Sequence, residues 1–158
     1  MEDRIRDLAV QFREAIQNCD MTELPLSLAE FPIGSCADAS ILLGTYFKDN
    51  GINGFVLIKG IRGEGNSLET HYWLEKGNMI VDITADQFQE INEEIVITES
   101  SSDWYNTFDR YVQQEADHRM IAAGDVRAQL EAVYEYVLKS ADKHDRQQSQ
   151  SSRSLRSD

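Results

Sequence analysis

Phe31-Pro32-Ile33-Gly34-Ser35-Cys36-Ala37-Asp38-Ala39-Ser40-Ile41-Leu42-Leu43 reads as a turn that delivers a cysteine to the first turn of a helix. Pro32 and Gly34 punctuate the approach. Ser35 suits an N-cap, and Asp38 three residues on completes an S-x-x-D box with its carboxylate in the first turn. Ile41, Leu42 and Leu43 supply a buried side. A thiol at a helix N-terminus meets unpaired N–H groups and the positive end of the dipole, which favour thiolate, the nucleophilic form. Asp38 works against this locally unless the capping role occupies it. A small core cysteine would fit the same residues, so reactivity at Cys36 requires an electropositive partner from elsewhere in the chain.

The totals narrow the search for that partner. A chain of 158 residues, 41% hydrophobic and 27% charged, can build one domain with a real core. Its net charge of −13 argues against nucleic acid or an anionic membrane as partner, since both need basic patches. No apolar run is long enough for a transmembrane helix, and Met1-Glu2-Asp3-Arg4 starts an acidic amphipathic pattern rather than a signal peptide. Two cysteines, Cys19 and Cys36, make no disulfide framework, so a cytoplasmic, reduced protein is expected. The histidines are three: His71, His118 and His144.

Outward from the cysteine helix, the chain divides readily. Ile5, Leu8, Phe12, Ala15 and Ile16 predict a helix over residues 3–18. Residues 35–49 form the Cys36 helix, closed by Asp49-Asn50-Gly51. Strands are expected at 54–61, 69–75, 79–84 and 95–97, with Lys76-Gly77-Asn78 as a hairpin turn and a polar loop at 62–67. Trp104, Tyr105, Phe108, Tyr111 and Val112 suggest a helix within 103–120. Val126, Leu130, Val133, Tyr134 and Val137 predict a last helix over 125–140. The polar segment 143–158 reads as a disordered tail, which leaves a single α+β domain over 1–142.

The hairpin supplies the partner. With Lys76-Gly77 as the loop, His71 sits directly opposite Asp82; with Gly77-Asn78, the two are diagonal neighbours. Both registers put them on one face, with Cβ atoms about 4.5–5.5 Å apart if opposite and about 7–8 Å if diagonal, whereas a three-residue loop would put them on opposite faces. A carboxylate beside an imidazole fixes its tautomer and stabilises the imidazolium, which can then pair with Cys36 or take its proton. Asp82 lies among Ile80, Val81 and Ile83, where an unpaired buried carboxylate would be costly. Trp73 shares the His71 face, as core or as a cover for the ring. His118, beside Glu115 and Asp117, reads as a solvated helix residue, and Cys19 as structural. No C-x-x-C or H-x-x-x-H spacing exists, so neither a metal nor another cofactor is expected. The glycines of 60–65 follow a strand without opening a helix and make a poor phosphate loop.

Across residues 30–90 the sequence resembles the transglutaminase-like branch of the papain-like cysteine enzymes, and within it the lasso-peptide leader peptidases. Gly34-Ser35-Cys36, Asn50-Gly51-Ile52, Ile58-Lys59-Gly60-Ile61, His71-Tyr72-Trp73-Leu74-Glu75 and Val81-Asp82 carry the likeness. The resemblance implies a papain-like, transglutaminase-like core: a helix-borne cysteine packed on a small antiparallel sheet, flanked by N- and C-terminal helices. It also implies a cysteine hydrolase or acyl-transfer enzyme, a peptidase, amidase or transglutaminase-like catalyst acting on an amide bond of a peptide or protein. Cys36 would attack the carbonyl, His71 shuttle the proton and Asp82 orient His71. The Cys36 N–H would be one oxyanion donor, with Ser35, Gln87 and Trp73 as candidate oxyanion or substrate contacts. Two features depart from the pattern: Asp38 stands where the family often has an arginine, and nothing outside 30–90 matches leader-peptide processing. Two alternatives stay open. One is a non-catalytic binding module on the same fold that docks a basic protein. The other is an acyl transferase similar to the arylamine N-acetyltransferases, which share the Cys-His-Asp order.

Overall fold

The computed structural model describes residues 1–156. Helix α1 (Glu2–Gln17) follows its spacing: Ile5, Leu8, Phe12, Ala15 and Ile16 are all buried. Each large apolar side chain of that stripe contributes about 1.5–3 kcal/mol by leaving water. A short helix α2 (Leu26–Ala29) and a turn through the cis Phe31–Pro32 bond lead into α3 (Cys36–Asp49). Strands β1 (Val56–Arg62), β2 (Glu69–Lys76), β3 (Met79–Asp82), β4 (Val96–Glu99) and β5 (Asp109–Glu115) follow, then helix α4 (Gly124–Ser154). No helix among the described residues is long and apolar enough to cross a membrane.

The strands form one antiparallel sheet in the order β4-β3-β2-β1-β5. The architecture is α+β, as expected, with a sheet of five strands. The period of two splits the side chains cleanly between its faces. Leu57, Leu74 and Val81 join the main core with α1, α3 and α4. Ile58, Trp73 and Ile80 point the other way, onto Tyr105 and Phe108. Gly60, opposite His71 on β2, makes that second layer possible: a Cβ there would stand 2.4 Å from the Trp73 ring and 2.9 Å from Phe108 Cβ.

Two expectations fail. Residues 103–120 hold no long helix. Trp104, Tyr105 and Phe108 lie on and around a single 3-10 turn (Tyr105–Thr107), and Asp109–Glu115 is strand β5 on the outer side of β1. The apolar spacing of 104–112 suits either structure. The open edge of β1 decides, because its backbone groups gain partners only from a strand. Residues 143–154, expected as a disordered tail, continue α4 as an exposed helix; 157–158 lie outside the described residues. The segment contains no glycine or proline, and its lysine, arginines and glutamines are good helix formers, so the helix runs on through its serines.

Candidate active site

Cys36 is the first residue of α3 and Ser35 its N-cap. Gly34 enters that turn at φ +68°, a conformation glycine adopts without strain. The expected capping box does not form. The Ser35 hydroxyl turns back to the Ile33 carbonyl at 3.3 Å, and the Asp38 carboxylate accepts from Ser27 Oγ. Both side chains are engaged elsewhere, and no side chain caps the helix at Cys36. Cys36 is half-buried.

The hairpin turns at Gly77-Asn78, since Lys76 pairs with Met79 and Leu74 with Val81. His71 and Asp82 are therefore diagonal on one face, and their side chains close the gap: Nε2 lies 2.6 Å from Asp82 Oδ2. Both residues are buried, His71 at 0% exposure. Asp82 is held at both oxygens. Oδ1 accepts from the Thr84 N–H at 2.9 Å and from Thr84 Oγ1 at 3.3 Å. Oδ2 accepts from Tyr105 OH at 2.9 Å as well as facing His71. Burial pushes the Asp82 carboxyl up, but His71, the Thr84 N–H and the Tyr105 hydroxyl outweigh it and hold the carboxyl below its ordinary range.

His71 titrates the other way. Burial alone would lower it, yet the Asp82 charge and hydrogen bond, followed by Cys36, raise it to about 9. The Cys36 thiol is near enough to raise the ring's hold on its proton. Nδ1 of His71 is buried and has no hydrogen-bond partner. With Nε2 committed to Asp82, Nδ1 is the ring atom left for proton exchange with sulfur.

Aromatic rings wall the imidazole: Phe88 edge-on at 5.0 Å, Trp73 at 5.8 Å, Trp104 at 6.0 Å and Phe108 at 6.2 Å. Arg62 lies across the outside of this wall, 4.4 Å from the Phe108 ring, and pairs with Glu69 and Glu90. A second arginine anchors the carboxylate's segment. Arg13 of α1, 3% exposed, forms a two-pronged pair with Asp86 at 2.7 Å and donates to the carbonyls of Ile83 and Glu94.

The structure thus brings Cys36, His71 and Asp82 together and gives the other three candidates narrower places. Trp73 is fully buried, its N–H on Glu75 Oε1, and forms core wall rather than a surface that meets substrate. Gln87 bridges the two halves of the site: its Oε1 lies 3.5 Å from the Gly34 N–H, and its Nε2 donates to the Thr84 carbonyl. Ser35 is buried with its hydroxyl committed to the turn. Sequence reasoning missed Tyr105 and Thr84. The D-x-T spacing of Asp82 and Thr84 is an Asx-turn signal that could have revealed Thr84. Tyr105 leaves no local signal, since it is 23 residues from the carboxylate it binds.

His118 is not solvated. Its ring is buried, with Nδ1 2.8 Å from Thr45 Oγ1 and Nε2 on Glu131. Cys19 is buried and its thiol donates to the Ala15 carbonyl; burial pushes it up, which suits a structural role. Among the described residues no three His, Cys, Asp or Glu side chains converge as a metal site. Comparison of the chain with models of known protein families, with curated proteins and with solved structures finds no match.

Proposed function

We propose that the protein is a cysteine hydrolase or acyl-transfer enzyme acting on an amide bond of a peptide or protein, on a papain-like, transglutaminase-like core. The observation that carries this reading is the His71 ring: Asp82 occupies one nitrogen, and the other is buried, unpartnered and beside a helix-N-terminal cysteine. Folding alone favours pairing every buried nitrogen, so one left open beside a thiol needs a reason. Proton exchange with Cys36 supplies it. Asp82 keeps a proton on Nε2 and favours the imidazolium, so Nδ1 holds the proton given up by the thiol and Cys36 stands as the thiolate of an ion pair. Cys36 Sγ attacks the amide carbonyl carbon while the oxyanion forms near the uncapped N–H groups of α3. His71 then returns the proton to the departing amine. Water, or an amine in the transfer direction, attacks the thioester and regenerates the thiol.

One observation favours a second reading. The Gln87 amide donates to Thr84 rather than pointing free toward Cys36, so no second side-chain oxyanion donor stands ready. A non-catalytic module that docks a basic protein through its acidic surface, net −13, would need none. An acyl transferase using a thioester donor would be singled out by acylation of Cys36 with acyl-coenzyme A.

The deciding experiment is iodoacetamide alkylation of Cys36 against pH in Cys19→Ala protein, with and without His71→Ala. The enzyme reading expects fast alkylation below pH ~7 that disappears in the His71 variant. A thiol that is inert, or that titrates near ~8.5 whether or not His71 is present, overturns it and puts the binding module first.

A further inference from the structure

Asp82 Oδ2 faces two groups at once: His71 Nε2 at 2.6 Å and the Tyr105 hydroxyl at 2.9 Å. Tyr105 is 1% exposed, and Asp82 is its hydroxyl's hydrogen-bond partner. Its ring is fixed edge-on against Trp104 at 4.8 Å and Trp73 at 5.1 Å, so the hydroxyl has little freedom to leave. Burial, then the Asp82 charge, push the phenol far above its ordinary range, so it stays a donor wherever the protein folds. Trp104 and Tyr105 come from the loop that the sequence suggests as helix, and no other part of the mechanism uses them.

We propose that Tyr105 is a positioning residue that sets how tightly the His71–Asp82 pair holds its proton. This deepens the triad reading and rests on it for its catalytic meaning, though not for its titration. A donor on Oδ2 draws charge away from the oxygen that His71 shares. With it, the imidazolium is stabilised enough to form and released enough to give its proton to the leaving amine. Without it, the carboxylate concentrates its charge on His71 and the pair binds its proton more tightly. The other groups that bear on this balance are Cys36 beside His71, Thr84 on Oδ1, and Glu93 and Arg110, which act on Tyr105. Arg62 stays outside the aromatic wall, paired with Glu69 and Glu90.

The test is an NMR titration of the His71 Cε1–H resonance in the protein carrying labelled histidine, assigned with His71→Gln. In Tyr105→Phe the midpoint is expected to rise by about one unit. In protein made with 3-fluorotyrosine, a more acidic and stronger donor of nearly the same size, it should fall. Amide turnover by Tyr105→Phe should drop about tenfold while Cys36 alkylation near pH 6 holds or rises, because the imidazolium forms more readily but gives up its proton less readily. A purely structural tyrosine would lower thermal stability and leave the midpoint alone. Midpoints unchanged to about 0.2 units in both proteins overturn the proposal. If Tyr105→Phe does not fold, the fluorotyrosine protein decides alone. Failure of the triad reading is distinguishable: alkylation would then be independent of His71, whatever the midpoints do.

Discussion

The molecule holds two buried histidines, each with a carboxylate on Nε2, and they do different things. At His118, Nδ1 meets Thr45 Oγ1, whose oxygen also accepts the His118 backbone N–H. Glu131 caps the other nitrogen from α4, and Asp117 beside it is tied to Lys48 and Arg119. Those charges hold the Asp117 carboxyl down to about 2 against the opposing effect of burial. The cluster ties α3, the 117–120 turn and α4 together, and neither ring nitrogen is left over. At His71 the carboxylate side is just as complete, with four contacts on Asp82, but Nδ1 is left open beside Cys36. A carboxylate on an imidazole is therefore not a signature of chemistry. The unsatisfied second nitrogen next to a cysteine is what separates the proposed site from a strut.

Substituting each histidine tests that contrast hardest. His71→Ala should slow Cys36 alkylation at pH 6 by about a hundredfold, the loss in thiolate fraction when an ion-paired cysteine reverts to an ordinary thiol of pKa ~8.5. His118→Ala should leave that rate within about twofold. A comparable loss in both would mean that the two histidines act alike, through folding.

The next effect is on stability and runs in the opposite sense. His118→Ala removes a filled, hydrogen-bonded ring from the junction of three elements, at a cost of about 3 kcal/mol by denaturant unfolding. A loss below about 1 kcal/mol would show that the cluster is not a strut.

The pH dependence of folding above neutrality should come from the His71 side, while on the acid side Asp82 and Asp117 both contribute. His71 is raised from 6.5 to about 9, so its contribution is complete below 6.5 and is lost as pH rises through about 9. Asp82 is lowered from 3.8, so its contribution is present above 3.8 and is lost as pH falls below that. The stability difference between the parent protein and Asp82→Asn should thus be greatest between those limits and shrink on both sides. A difference that is flat across pH 3 to 10 would remove the charge pair from the account. The smallest effect is expected at the other cluster's rim. Glu131, 44% exposed at its side chain, should cost under about 1 kcal/mol when changed to Gln, because solvent screens such a pair.

The structure shows which parts of this contrast were legible in the chain. The α1 stripe, the Cys36 helix and the hairpin are written in local periodicity and turn residues, and all three form where expected. The pairing of His71 with Asp82 was legible for a two-residue loop, whose two registers place them on one face; a three-residue loop would separate them, and the structure has the two-residue loop. The strand at 109–115 was not, since its identity depends on the free edge of β1, some fifty residues earlier. Nor was the burial of His118, because the acidic neighbours that suggest solvent are turned into ion pairs by Lys48 and Arg119. The helical continuation past 143 was hidden by composition: the same polar residues that resist burial also propagate a helix.

The sequence by itself determined which residues could carry chemistry: one cysteine at a helix start, and one histidine and one aspartate on a common strand face. Their spacing is local, and local spacing obeys the helix and strand periods whatever the rest of the chain does. Only the tertiary structure decided that Cys36 stands beside the open nitrogen of His71, that Tyr105 shares the Asp82 oxygen, and that His118 is sealed. Those relations join residues from 23 to 73 positions apart, brought together by burial of apolar faces that carries no record in any short window.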